Sequence, residues 1–159
     1  MPATVLYMSM SLDGFIAGPN ATVDNGLGDG GERLHEWVLP RGGDQRSVGE
    51  HVTGVDRQVV DEFMSTGAVV AGRGTFEPAG GWGGDHHDGV PIFILSRHAS
   101  AAAQARWPLV TYVDDVRRAM AEAKAAARAS CATPAPCTRT SRSPAAALAS
   151  AIALRTSST

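Results

Sequence analysis

Two short runs in this chain are apolar at every position: Ala68–Ala71 (AVVA) and Pro91–Leu95 (PIFIL). A strand wetted on one face alternates polar and apolar residues, so a run without alternation demands cover on both faces. The chain must therefore build a sheet sandwiched between other layers. Each run also stops abruptly and delivers a cation, Gly72-Arg73-Gly74-Thr75 after the first and Ser96-Arg97-His98 after the second. Glycines let backbone approach a ligand, Arg73 brings a fixed charge, and Thr75 is a candidate helix cap. Gly-Arg-x-Thr alone suits either a phosphate site or an ordinary strand–loop–helix junction with a solvated Arg. If the two strands are parallel neighbours, Arg73, Ser96 and Arg97 surround one phosphate, as befits the extra phosphate that separates NADP from NAD.

The remaining periodicities extend this sheet. Val5–Leu12 (VLYMSMSL) predicts a strand whose two faces both begin apolar, as in a central strand, and Leu109–Val113 (LVTYV) predicts another. Val55–Thr66 carries Val55, Val59, Val60, Phe63 and Met64 at helical spacing, with Thr53 as an upstream cap and Gly67 as a stop. Val116–Ala127 carries Val116, Ala119, Met120 and Ala123 behind Asp114 or Asp115 as a cap. Strands alternating with helices give an α/β class with a mixed, mostly parallel sheet and flanking helices. With 159 residues the chain is long enough for one domain with a real core.

The first strand runs into Asp13-Gly14-Phe15-Ile16-Ala17-Gly18, which sets a carboxylate beside a flat apolar patch at a strand's carboxyl end. Ligands of open α/β sheets bind there, although Asp13 equally serves as a plain turn residue. The glycine-rich stretch 20–54 predicts a wall or lid over a site, with one amphipathic helix at Glu32–Leu39 (ERLHEWVL). Glu32 and Glu36 share a face of that helix; solvated carboxylates explain them as well as a substrate does. Asp85-His86-His87-Asp88 suggests a metal, but adjacent side chains diverge and no further ligands cluster, which favours a polar loop. No metal is expected.

Formal net charge is −2, so no basic field invites nucleic acid or anionic lipid. Cys131 and Cys137 form no metal or redox motif and suit a reducing compartment. With no basic leader and no apolar run of bilayer length, the expected location is cytoplasmic, without membrane.

From Ala125 onward the composition changes to Ala, Ser, Thr, Arg and Pro, with no Gly, acidic or aromatic residue. This predicts a basic tail over 128–159, disordered or at best weakly helical at Ala146–Leu154. Such text also arises when a GC-rich gene is translated out of frame, the reading preferred here.

Five motifs in order resemble the dihydrofolate-reductase-like superfamily. They are MSLDGFIAG at Met10–Gly18, GDGGERLHEW at Gly28–Trp37, VVAGRGTFE at Val69–Glu77, GGWGG at Gly80–Gly84 and PIFILSRH at Pro91–His98. The closer likeness is to stand-alone bacterial relatives of the reductase domain of riboflavin biosynthesis, over residues 5–127. The resemblance implies NADPH as cofactor, with Gly72, Arg73 and Thr75 on its phosphates and Ser96 and Arg97 at the adenosine 2′-phosphate. It implies Ile16, Ala17 and Gly18 along the nicotinamide, Asp13 as catalytic and substrate-facing residue, and Trp37 and Trp82 bordering the substrate. Gly74 departs mildly from the family, which often has a larger residue there.

Members of the family continue with a buried central strand, a Gly-Gly turn on the pyrophosphate, a helix and antiparallel strands. None of these is legible after Ala127. Loss of a central strand would uncover apolar faces on both neighbours, so a destabilised or inactive product is expected. The resemblance allows a homodimer, although the usual dimer contacts involve the absent part.

The implied reaction is hydride transfer from NADPH to a C=N bond of a pyrimidine or pterin-class small molecule. In the riboflavin pathway a ribosylamino group, as in 5-amino-6-(5-phosphoribosylamino)uracil, becomes ribitylamino. Dihydrofolate reduction is the first alternative, with Glu32 or Glu36 as the required carboxylate. An inactive remnant without chemistry is the second. A P-loop hydrolase fails for want of G-x-x-x-x-G-K-[ST].

Overall fold

In a computed structural model of the chain, describing residues 3–22, 24–39, 49, 51–99, 101–132 and 151–155, the two apolar runs are parallel neighbours. They form β2 (Ala68–Gly72) and β3 (Ile92–Leu95), and Gly72 pairs with Leu95. β4 (Val110–Val113) adds in parallel to β3, completing a three-strand parallel sheet flanked by helices. β1 (Ala3–Tyr7) lies at the far side, with β5 (Ala151–Arg155) between it and β2, giving the sheet order β1-β5-β2-β3-β4.

The alternation of buried side chains assigns the two faces. Ala68, Val70, Phe93 and Val113 point to one side, where α4 (Val116–Ala132) packs Ala119, Ala123 and Ala127 against them. Alanines at i, i+4 and i+8 form one smooth stripe and let the helix axis come close to the sheet. Asp115 starts this helix, its Oδ1 accepting the Arg118 backbone N–H at 2.8 Å. Val116, expected on the inner face, is exposed because it falls in the first turn, ahead of the sheet. Val69, Ala71, Ile92, Ile94 and Val110 face the other way, onto Phe76 and Trp82. α1 (Gly54–Met64) buries Val60 and Phe63, while Val55 stays exposed. Thr53 stands at its N-cap in extended conformation without a side-chain cap bond. Val60, with Val38 and Val52, forms a third cluster on which Trp37, Leu39 and Met64 rest.

Two expectations change. Residues 151–155 of the Ala-rich tail form neither coil nor helix: they are β5 (Ala151–Arg155), inserted between β1 and β2 and antiparallel to both. The register sets Ile152 opposite both Leu6 and Val70. The central position expected to be vacant is thus taken by the tail itself; residues 133–150 and 156–159, including Cys137 and most of the expected weak helix, lie outside the described residues. β1, in turn, stops at Tyr7 and pairs on one side only among the described residues. Leu6, Met8, Met10 and Leu12, placed inside a covered strand by the sequence, are exposed.

Candidate functional site

The carboxyl ends of β2 and β3 deliver what their sequences promised. Arg73, Ser96 and Arg97 line one cleft of about 300 Å³ together with Leu95, His98 and Asp114. Parallel pairing makes this inevitable: once Gly72 is level with Leu95, the next residues of both strands emerge side by side. The Ser96 backbone N–H donates to the Val113 carbonyl at 2.9 Å, and its Oγ accepts the His98 N–H at 3.1 Å, which fixes the loop. Arg73 leans toward Glu77, Nε to Oε1 at 3.5 Å, and Asp114 is held by Arg118 at 2.9 Å. Arg97 has no ion pair among the described residues, so its charge is available to an anion.

The local structure behind Arg73 differs from expectation. α2 spans only Arg73–Phe76, a single turn, and its N-cap is Gly72 rather than Thr75. One turn carries little dipole, so affinity for an anion rests on the two guanidinium groups and the Ser96 hydroxyl. A side chain at Gly72 would meet open space, so close packing does not require glycine there.

Thr75 faces a second cleft, also about 300 Å³, with Ile16 and Ala17 as apolar wall. Ser9, Asp24, Asn25, Glu32 and His35 contribute its polar lining. Glu32 and His35 sit on a 3₁₀ turn, Gly31–Leu34 and its C-cap, rather than on the expected helix; residues three apart eclipse on such a turn, which carries both to one side. Asp24 and His35 were not singled out from the sequence, and the i, i+3 spacing of Glu32 and His35 was the available signal. Glu36 is not among the residues lining this cleft.

Asp13 lies in a third, larger cleft of about 610 Å³, with Ser11, Phe15, Ala17, Gly18, Asp29 and Arg33 among its lining. Its turn is built by Ser11, whose hydroxyl donates to Asp13 Oδ1 at 2.7 Å and accepts the Phe15 N–H at 2.9 Å. Ala17 borders both this cleft and the Ile16–Thr75 cleft, so the two adjoin. Gly18 is glycine for an internal reason: any side chain there would run into the Asp29 carbonyl, where the Gly18 N–H donates to Leu27 at 2.7 Å.

The two tryptophans are corrections. Trp82 is 1% exposed, edge-on to Phe76 at 5.3 Å and to His86 at 4.6 Å between ring centroids. Gly80–Gly84 all have positive φ, Trp82 included at +50°, and this left-handed turn swings the indole into the core. Trp37 packs on the Val38, Val52 and Val60 cluster and lines none of these three clefts.

Asp85–Asp88 is not merely a polar loop. His86 and His87 are both buried, and their Nδ1 atoms meet at 2.8 Å instead of diverging. Burial, and secondarily the neighbouring His87, holds His86 down at about 3, and burial likewise lowers His87. Among the described residues no three His, Cys, Asp or Glu side chains form a metal-binding group, and no helix is long and apolar enough to cross a membrane. No family model, curated protein or solved structure matches the chain.

Proposed function

We propose that this chain is an NADPH-dependent reductase of the dihydrofolate-reductase-like, riboflavin-biosynthesis type, transferring a hydride to a C=N bond of a pyrimidine-class substrate. The observation that carries this reading is the single cleft lined by Arg73, Ser96 and Arg97 at the tips of adjacent parallel strands. Two guanidinium groups and a hydroxyl suit a phosphate monoester dianion, the group that distinguishes NADPH from NADH. The five ordered sequence motifs support the same reading.

When bound, the cofactor supplies the hydride, and the chain supplies orientation and exclusion of water. Arg73 and Arg97 would hold the phosphate end. Ile16 and Ala17 would offer an apolar wall to the nicotinamide ring beside Thr75. Asp13, in the adjoining cleft, would orient the substrate through its carboxylate, which Ser11 fixes by hydrogen bond. Trp37 and Trp82 have structural roles and no part in this scheme. Glu32, on the cleft lined by Ile16 and Thr75, favours one second reading, dihydrofolate reduction, in which that carboxylate would hold a pterin.

Cofactor titration followed by tryptophan fluorescence tests the proposal. NADPH should bind at micromolar concentration and more tightly than NADH. Arg97→Gln should weaken NADPH by about tenfold or more while changing NADH little, the loss expected for one charge-assisted contact. Equal affinity for the two cofactors, or none for either, overturns the assignment and leaves the non-catalytic remnant. Turnover of the ribosylaminopyrimidine against dihydrofolate then separates the two reductase readings.

A further inference from the structure

A fourth cavity, of about 560 Å³, opens on the sheet face away from α4, between α2, the left-handed Gly80–Gly84 turn, α3 (Ala101–Arg106) and β4. It shares no lining residue with the three clefts above. Its volume falls within the range of small-molecule sites.

Three polar side chains line it, Glu77, Tyr112 and Arg106, and the Glu77 carboxylate also pairs with Arg73 Nε at 3.5 Å. Burial, and secondarily the Glu77 charge, hold the Tyr112 phenol above the usual value, while Arg106 opposes them. It therefore remains a neutral O–H donor at physiological pH. The Arg106 guanidinium lies over the Trp107 ring, 4.7 Å from its centroid, and makes a flat shelf along one wall. Trp107 cannot give way behind it. Gly81 and Gly84 press on it so closely that any side chain at Gly84 would run into the indole, and both glycines have positive φ.

A flat shelf, one acceptor and one donor around an apolar floor define the ligand. A planar heteroaromatic ring stacks on the guanidinium, as arginine does on such rings. An exocyclic amine on that ring donates to Glu77. A ring nitrogen accepts from the Tyr112 O–H. An anionic ring would meet Glu77, and a hydrocarbon ring would gain nothing from Glu77 or Tyr112. We propose that this cavity is a binding site for an aminated purine-type ring, separate from the three clefts and independent of the reductase reading.

The test uses the full chain and adenosine, which carries no phosphate and no nicotinamide. Adenosine should quench Trp107 fluorescence, and Trp107→Phe should remove that signal. Inosine, with a carbonyl in place of the amine, should bind at least about fivefold more weakly, as expected on losing a hydrogen bond to a charged acceptor. Glu77→Gln should erase the preference for adenosine over inosine, and Tyr112→Phe should weaken both nucleosides alike. Circular dichroism confirms that each variant keeps its fold. Equal affinity of the wild-type chain for the two nucleosides overturns the proposal, as does the absence of saturable quenching or loss of adenosine quenching when the chain is saturated with NADPH. With the cofactor cleft filled by NADPH, adenosine binding reports on the fourth cavity, so the two readings are judged apart.

Discussion

His86 and His87 show how burial fixes a protonation state. The His87 Nε2 lies 3.1 Å from the Thr66 carbonyl, which only accepts, so Nε2 carries the proton. His87 Nδ1 is then an acceptor, and the 2.8 Å contact requires a proton on His86 Nδ1. His86 Nε2 is left as a buried lone pair without a hydrogen-bond partner among the described residues. Phe63 and Trp82 enclose the pair, so a charge on it would be poorly solvated. The unfolded chain, with ordinary histidines, takes up protons below about 6.5 that the folded chain refuses down to about 3. Stability is therefore full above pH 6.5 and falls as pH drops toward 3, by about 2 kcal/mol at pH 5 from His86 alone. A thermal midpoint lower by roughly 5 °C at pH 5 than at pH 7.5 is expected. His86→Phe should flatten that dependence in a pH series of melting curves, whatever it does to the midpoint at pH 7.5. A variant with an unchanged slope would remove His86 from the account. None of this was legible in Asp85–Asp88, because burial of the histidines depends on a backbone turn several residues earlier. Arg73, Ser96 and Arg97 were legible for the opposite reason: they sit one or two residues past strands whose pairing follows from their own composition.

At the scale of elements, β2, β3 and α4 could be read because each carries its periodicity within its own sequence. β5 could not. AIALR is too short and too rich in Ala to announce a strand, and its place depends on a slot that its distant neighbours create. Antiparallel pairing with β1 and β2 engages the inner edges of both, which would otherwise stay open. The Ala-rich tail thus completes the sheet that its composition seemed unfit to join. Ala153, paired with Val5 on one side and Val69 on the other, is the middle of this strand. Proline there removes a ladder hydrogen bond and cannot fit a central strand. Ala153→Pro should lower the urea midpoint by the equivalent of about 3 kcal/mol or more, or abolish cooperative unfolding. An Ala153→Pro protein that unfolds like the parent would show that β5 contributes nothing to the fold.

For the whole molecule, the consequence of seating β5 centrally is that β1 takes the edge. Both faces of β1 begin apolar, the pattern of a covered strand, and among the described residues one side of that pattern is exposed. Leu6, Met10, Leu12 and Phe15 are each more than half exposed, in a strip that continues from β1 into the Asp13 turn. A strand edge that pairs with no other strand among the described residues, joined to an apolar strip, is the geometry from which strands pair between molecules. Two copies meeting edge to edge around a twofold axis would present identical strips to each other, closing the assembly at a dimer. Sedimentation velocity should therefore show a mass that rises with protein concentration toward twice that of the chain. Replacing Leu6 and Met10 by Lys puts two like charges on the strip of each copy and should hold the protein monomeric at every concentration. Since Trp107 lies at the other end of the strand order, beside β4, adenosine binding should be the same in monomer and dimer. A wild-type chain that stays monomeric throughout would mean that the exposed strip on β1 is no self-association surface.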